Sequence, residues 1–257
     1  MRVLHNSVAW TSLAAWCLGC ATSLIATASE HTFDDAASAE RFVRTGVEAK
    51  FTHDAAAGIG GGGGLLTGRM GSAGQWVEKE AITDTNRPFE VSVAFKHQTH
   101  DNVTGQGLFV GVGPDSDYVP TLSQSSDAAD HHLLAALQGG GEEPSTYRLL
   151  IQSKAAGQVS NHRGEMVRLQ PGSWYRLSLS AAPSGEGVHV QASVHVLDET
   201  GRTVASVTEV KRDALPLPRH SDTAAGLHAF FGGQAMTPQR GFEAIDNFVS
   251  TAEEPSP

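Results

Sequence analysis

The chain has 257 residues, 40% hydrophobic and 18% charged, with 28 acidic against 18 basic side chains and a net charge of −10. That is enough apolar material for one sizeable core, and an acidic balance without a basic cluster argues against nucleic acid or an anionic membrane as partner. Its two cysteines, Cys17 and Cys20, both lie near the start, so the rest of the chain has neither a disulfide framework nor a thiolate metal site.

Residues 1–28 read as a secretory signal: Arg2 precedes an apolar run, no acid occurs before Glu30, and Ala26-Thr27-Ala28 is a small-x-small site for cleavage before Ser29. The expected destination is outside the cytoplasm, in a periplasm or on a cell surface. "CLGC" faintly resembles a lipoprotein signal, and membrane attachment is expected only if Cys20 is lipidated. Residues 29–251 are expected to form one domain, and residues 252–257, with the ending "EEPSP", a disordered tail.

After the leader, "DDAASAERFVRT" predicts a helical turn or two near Asp35 to Phe42. Short runs of period-two alternation then follow, broken by Gly, Pro, Asn and Asp, which is the pattern of strands and turns. They are "VEAKFTH" (47–53), "QWVEKE" (75–80), "FEVSVAF" (89–95), "GLFVGVG" (107–113), "LLAALQ" (133–138), "TYRLLIQ" (146–152) and "WYRLSLS" (174–180). The stretch before 138 also reads as a helix, "SSDAADHHLLAAL". From Val188 to Val210 a valine-rich strand turns at Glu199-Thr200-Gly201 and returns, a β-hairpin. "ALPLPRHSD" predicts a crossover between sheets, and "AGLHAFFGG" and "GFEAIDNFVST" close the pattern. So many strands, each with a face to bury, require an antiparallel sandwich or barrel.

The glycine run "GIGGGGGLLTGR" (58–69) lacks the Lys-Ser or Lys-Thr of a phosphate loop, and no βαβ unit surrounds it for a dinucleotide. It is expected to be a mobile surface loop between early strands.

"PGSWYRLSLSAAPSGEGVHVQASVHVLDETGRTVASV" resembles the central region of concanavalin A-like, laminin-G-like jelly-roll domains, and "HTFDDAAS" and "FEAIDNFVS" resemble their paired first and last strands. The resemblance implies an all-β, two-sheet antiparallel β-sandwich. Families with this fold include lectins, sugar-binding modules, glycoside hydrolases, polysaccharide lyases and adhesive modules, so the site must decide the function.

No E-x-D-x-E strand of a glycoside hydrolase is present, and Glu243 and Asp246, three apart, are expected on opposite faces of their strand. Gln98 and His100 match two residues of a lyase motif without its companions. The clusters "HQTHD" and "DAADHH" lack the helical spacing of a zinc site and read as exposed loops. The resemblance implies a structural calcium beside the joined first and last strands, with Asp34, Asp35, Glu243 and Asp246 as candidate ligands; acids capping turns are the alternative. For sugar, Trp76, His100, Tyr118 and His131 are candidate contacts, with burial the alternative for Trp76; the resemblance assigns Trp174 to the core. The leading expectation is a secreted, non-catalytic protein that binds a polysaccharide or glycoconjugate, or mediates adhesion. A polysaccharide hydrolase or lyase with a degenerate motif and a structural envelope protein are the alternatives.

Overall fold

The computed structural model describes residues 26–45, 51–68, 74–82, 86–98, 107–113, 132–140, 143–155, 158–185, 187–217, 226–234 and 241–253. Fifteen strands are described: β1 Ala26–His31, β2 Phe42–Thr45, β3 Phe51–Asp54, β4 Gly64–Thr67, β5 Gly74–Ile82, β6 Phe89–His97, β7 Gly107–Gly113, β8 His132–Gly139, β9 Thr146–Ala155, β10 Gln158–Arg168, β11 Trp174–Ser184, β12 Gly187–Leu197, β13 Thr203–Leu215, β14 Leu227–Gln234 and β15 Phe242–Glu253. One antiparallel sheet runs β13-β12-β11-β6-β15-β4-β3 with β1 also on β15; the other runs β10-β9-β8-β7-β14-β5-β2.

The alternation read from the sequence is the reason the sheets face each other. On β11, Tyr175, Leu177, Leu179 and Ala181 are buried, and on β12 Val188, Val190, Ala192 and Val194 join them. Leu108, Val110 and Val112 of β7, Leu133, Ala135 and Leu137 of β8 and Leu149 and Ile151 of β9 meet them from the other sheet. Each large apolar side chain so enclosed contributes about 1.5–3 kcal/mol against exposure. β7 and β8 read as almost unbroken apolar runs because their outer faces are buried too, through Phe109, Leu134 and Ala136.

At the end where β1 docks, Phe33, Phe42, Phe51, Trp76, Phe231 and Phe248 pack with ring centroids 5.2–6.3 Å apart, mostly edge-on or tilted. A polar knot lies beside them. The Glu78 carboxylate accepts from Ser29 Oγ (2.5 Å) and Ser250 Oγ (2.6 Å) and lies 3.0 Å from His31 Nε2. Burial works to raise its pKa, but the hydrogen bonds from His31, Ser250 and Ser29 outweigh that, and the carboxyl sits below its ordinary range.

The first and last strands pair as the resemblance implies, yet the paired segment is Ala26–His31, with His31 opposite Phe248. The rest of "HTFDDAAS" leads into a 3₁₀ turn, Ala36–Arg41, in the expected helical stretch. Residues 132–139 form a strand, not a helix, because both their neighbours in the sheet are strands whose edges need pairing. β13 and β14 lie in different sheets, as the proline-rich crossover predicts. β2, β4 and β10 were not anticipated: β2 and β4 are only four residues long, and β10 is a half-exposed edge strand without apolar alternation.

Candidate functional site

The glycine run connects two early strands, as expected, and its backbone is tied down by hydrogen bonds. It is the tight connection of the β3–β4 hairpin, in which Phe51 faces Thr67 and Asp54 faces Gly64. The Gly58 amide donates to Gly62 O (2.8 Å), Gly61 to Gly58 O (3.2 Å) and Gly62 to Ile59 O (3.2 Å). Two carboxylates hold it from outside: Ile59 N donates to Asp246 Oδ2 (2.9 Å) and Gly63 N to Asp34 Oδ1 (3.2 Å). Small residues are needed at this packing, since a Cβ on Gly58 would lie 2.0 Å from Gly63 O and one on Gly63 would lie 2.5 Å from Phe33 O. The loop lacks the signature of a phosphate cradle, yet its amides do bind two anions, the protein's own Asp34 and Asp246 carboxylates.

The hairpin forms one wall of a cavity of about 410 Å³ on the outer face of the β15 sheet. Its floor is one row of outward-facing residues in register across four strands: Trp174 opposite Lys96, Lys96 opposite Ala244, and Ala244 opposite Leu66. At roughly 4.8 Å per strand the row is about 14 Å long. Trp174 is half-buried and Leu66 exposed, giving an apolar surface at each end. Between them Lys96 Nζ lies 3.3 Å from Glu243 Oε2, with both side chains about one-third exposed (32% and 30%). Asp54, whose Oδ1 accepts Ala56 N–H, and the backbone of 56–61 complete the lining.

Glu243 reaches this face through a β-bulge. It is the extra residue between Phe242, opposite His97, and Ala244, opposite Lys96. A second irregularity follows at Asn247, with φ of 45°, between Asp246 and Val249. Both Glu243 and Asp246 consequently serve the outer face, contrary to the opposite faces that simple alternation requires. Asp246 is only 4% exposed; burial pushes its carboxyl up to about 6, the amides of Ile59 and Asn247 oppose that, and the nearby Asp34 charge adds to the rise.

Of the four expected calcium ligands, Asp34 and Asp246 stand at the same hairpin, and Asp35 and Glu243 have partners elsewhere. Asp35 caps the 3₁₀ turn through Ser38 N–H, Asp34 and Asp246 hold the hairpin, and Glu243 pairs with Lys96. Among the described residues no group of three or more metal-ligating side chains assembles.

Of the expected sugar contacts, Trp76 is fully buried in the aromatic end of the core and offers no surface. Its strand turns it inward, and Arg44 covers its ring at 4.6 Å. His100, Tyr118 and His131 lie outside the described residues, as do Cys17 and Cys20. His97 and His132 of the two histidine clusters are buried, His97 Nδ1 donating to Gly241 O (2.6 Å) and His132 Nε2 lying 2.8 Å from Gln152 Oε1. Among the described residues the tryptophan with a face at the surface is the half-buried Trp174. The alternation of "WYRLSLS" carried that signal, because Leu177 and Leu179 inward place Tyr175 inward and Trp174 outward.

A second groove, about 380 Å³, lies farther along the same face over Glu90, Ser180, Gln191 and Lys211. Among the described residues no helix is long and apolar enough to cross a membrane.

No family model and no curated protein matches the sequence. Solved structures do match. Peanut lectin with a nine-residue peptide aligns with a TM-score of 0.57 at 11% identity, over 91% of this chain and 100% of that one. A carbohydrate esterase from the Shiga toxin-encoding bacteriophage phi24B aligns with a TM-score of 0.52 at 11% identity (88% and 97% covered). Lectin I-B4 from Griffonia simplicifolia, in its metal-free form, aligns with a TM-score of 0.51 at 13% identity (88% and 99% covered). Identities this low speak for architecture and leave activity open. Together with the two facing antiparallel sheets and the paired first and last strands, they establish that the chain has the concanavalin A-like jelly-roll fold.

Proposed function

We propose that this is a secreted, non-catalytic glycan-binding protein, and that the cavity between the glycine hairpin and Trp174 is its sugar site. The observation that carries the reading is the half-exposed Trp174 indole beside the Lys96–Glu243 ion pair in one cavity. A sugar ring presents an apolar face of C–H groups and a rim of hydroxyls. The indole suits the first, and a carboxylate and an ammonium suit the second. The similarity in fold to lectins supports the reading without carrying it. Both lining carboxylates already have work, Glu243 with Lys96 and Asp54 in its own turn, which favours binding over acid–base chemistry.

The test is a glycan array and insoluble-polysaccharide pull-down on wild type and Trp174→Ala, with reducing ends and unsaturated uronate assayed in parallel. Retention lost in the variant, without product, is expected. Release of product would overturn the non-catalytic reading, and equal retention by both proteins would move the site elsewhere. Export is tested separately by N-terminal sequencing of protein recovered outside the cytoplasm, where Ser29 is the expected first residue.

A further inference from the structure

We infer that the cavity takes the end of a glycan chain and excludes internal stretches, an inference that rests on the sugar-site reading above. The cavity is closed toward the middle of the sheet. There the glycine hairpin meets the turn joining β12 to β13: a Cβ on Gly60 would lie 3.2 Å from Glu199 O, and one on Gly201 would lie 3.5 Å from Ile59 Cδ1 and 3.4 Å from Asn247 Nδ2. The junction is tied down at both sides. Ile59 N donates to Asp246 Oδ2, and Arg176 Nη2 donates to Gly201 O (3.2 Å).

The residues beneath show where this bridge stands. Arg176, Ala94 and Asp246 form the next outward-facing row after Trp174, Lys96 and Ala244, because Arg176 is opposite Ala94 and Ala94 is opposite Asp246. Ala94 points away from the core yet has no exposed surface, and Asp246 has only 4%. Arg176 and Asp246, at the two ends of this row, bond the two touching turns, so the turns stand over it. The bridge also separates this cavity from the groove at Glu90, Ser180 and Gln191, so one chain cannot run along the sheet through both. A ligand lays a terminal residue on Trp174 and stops at the hairpin.

The experiment uses the full protein and a panel of dextran, galactan, mannan, xylan and alginate. Each is presented intact and after limited acid hydrolysis, at equal mass, and bound protein is measured by pull-down and calorimetry. Binding sites per mass should rise in proportion to the chain ends created, and intact polymer should compete only weakly. Equal binding per mass before and after hydrolysis, in any polymer that is retained, would overturn the chain-end inference while leaving the sugar site standing. Failure to retain any member in either form would overturn the sugar-site reading and this inference with it.

Discussion

Asp246 accepts the Ile59 amide at 2.9 Å across 187 positions of sequence, so the last strand fixes the glycine hairpin of the first quarter of the chain. The buried carboxylate is held charged there against its preference, with Asp34 nearby and its pKa raised from 3.8 to about 6. The folded state therefore keeps this proton to higher pH than the unfolded chain does, and between those values folding binds a proton. Stability from this group falls as pH rises through that window. Asp246→Asn should gain on the wild type as pH rises from 4 to 7, by up to about 3 kcal/mol. Urea unfolding across pH measures it, and a pH-independent difference between the two proteins would refute the assignment.

Glu78 carries the opposite sign. Its pKa is lowered on folding, so its contribution is present above the ordinary carboxylate range and fades as pH falls through the folded value. Glu78→Gln should cost about 2–3 kcal/mol near neutral pH, since it loses the charge that Ser29, Ser250 and His31 serve. The deficit should shrink in acid, read by the same unfolding series.

The two tryptophans separate binding from folding. Trp76→Ala removes a wholly buried ring and should cost about 3–5 kcal/mol, with Tm falling accordingly. Trp174→Ala should leave Tm within a few degrees and weaken glycan retention by about tenfold or more, the loss of a stacking anchor.

The hairpin should resist proteolysis, because the amides of Gly58, Ile59, Gly61, Gly62 and Gly63 all have acceptors. Gly63→Ala, which drives a Cβ into Phe33 O, should make the segment cleavable and lower Tm. Gly61→Ala meets open space and bears only the strain of φ 81°, about 1 kcal/mol.

Chelator and added calcium should leave Tm unchanged, since Asp34, Asp35, Glu243 and Asp246 are already engaged with backbone amides or Lys96. A rise in Tm on adding calcium would show that the acids rearrange around an ion.

The fold was legible where side-chain period and turn chemistry agree. Between Val188 and Val196 the valines of β12 mark the inner face, and the Asp198 carboxylate accepts the amides of Thr200 and Arg202 at the turn. The site was less legible. The alternation with Leu177 and Leu179 sets Trp174 outward, against the resemblance that assigns it to the core, and Glu243 changes face through a bulge whose position is set by partners far away in sequence. The glycine run reads as a surface loop, and nothing in it says what it packs against. Its partners, Asp34 and Asp246, come from opposite ends of the domain.

β15 lies between β6 on one side and β1 with β4 on the other. A chain emerging from its N-terminus thus has no middle for this sheet until residues 242–253 appear, and β1, β3 and β4 wait unpaired with it. Most of the loop-closure entropy is met in one late step. Folding of this protein should accordingly be a whole-chain event, and a holding chaperone would find its aromatic end exposed for nearly the entire time of synthesis.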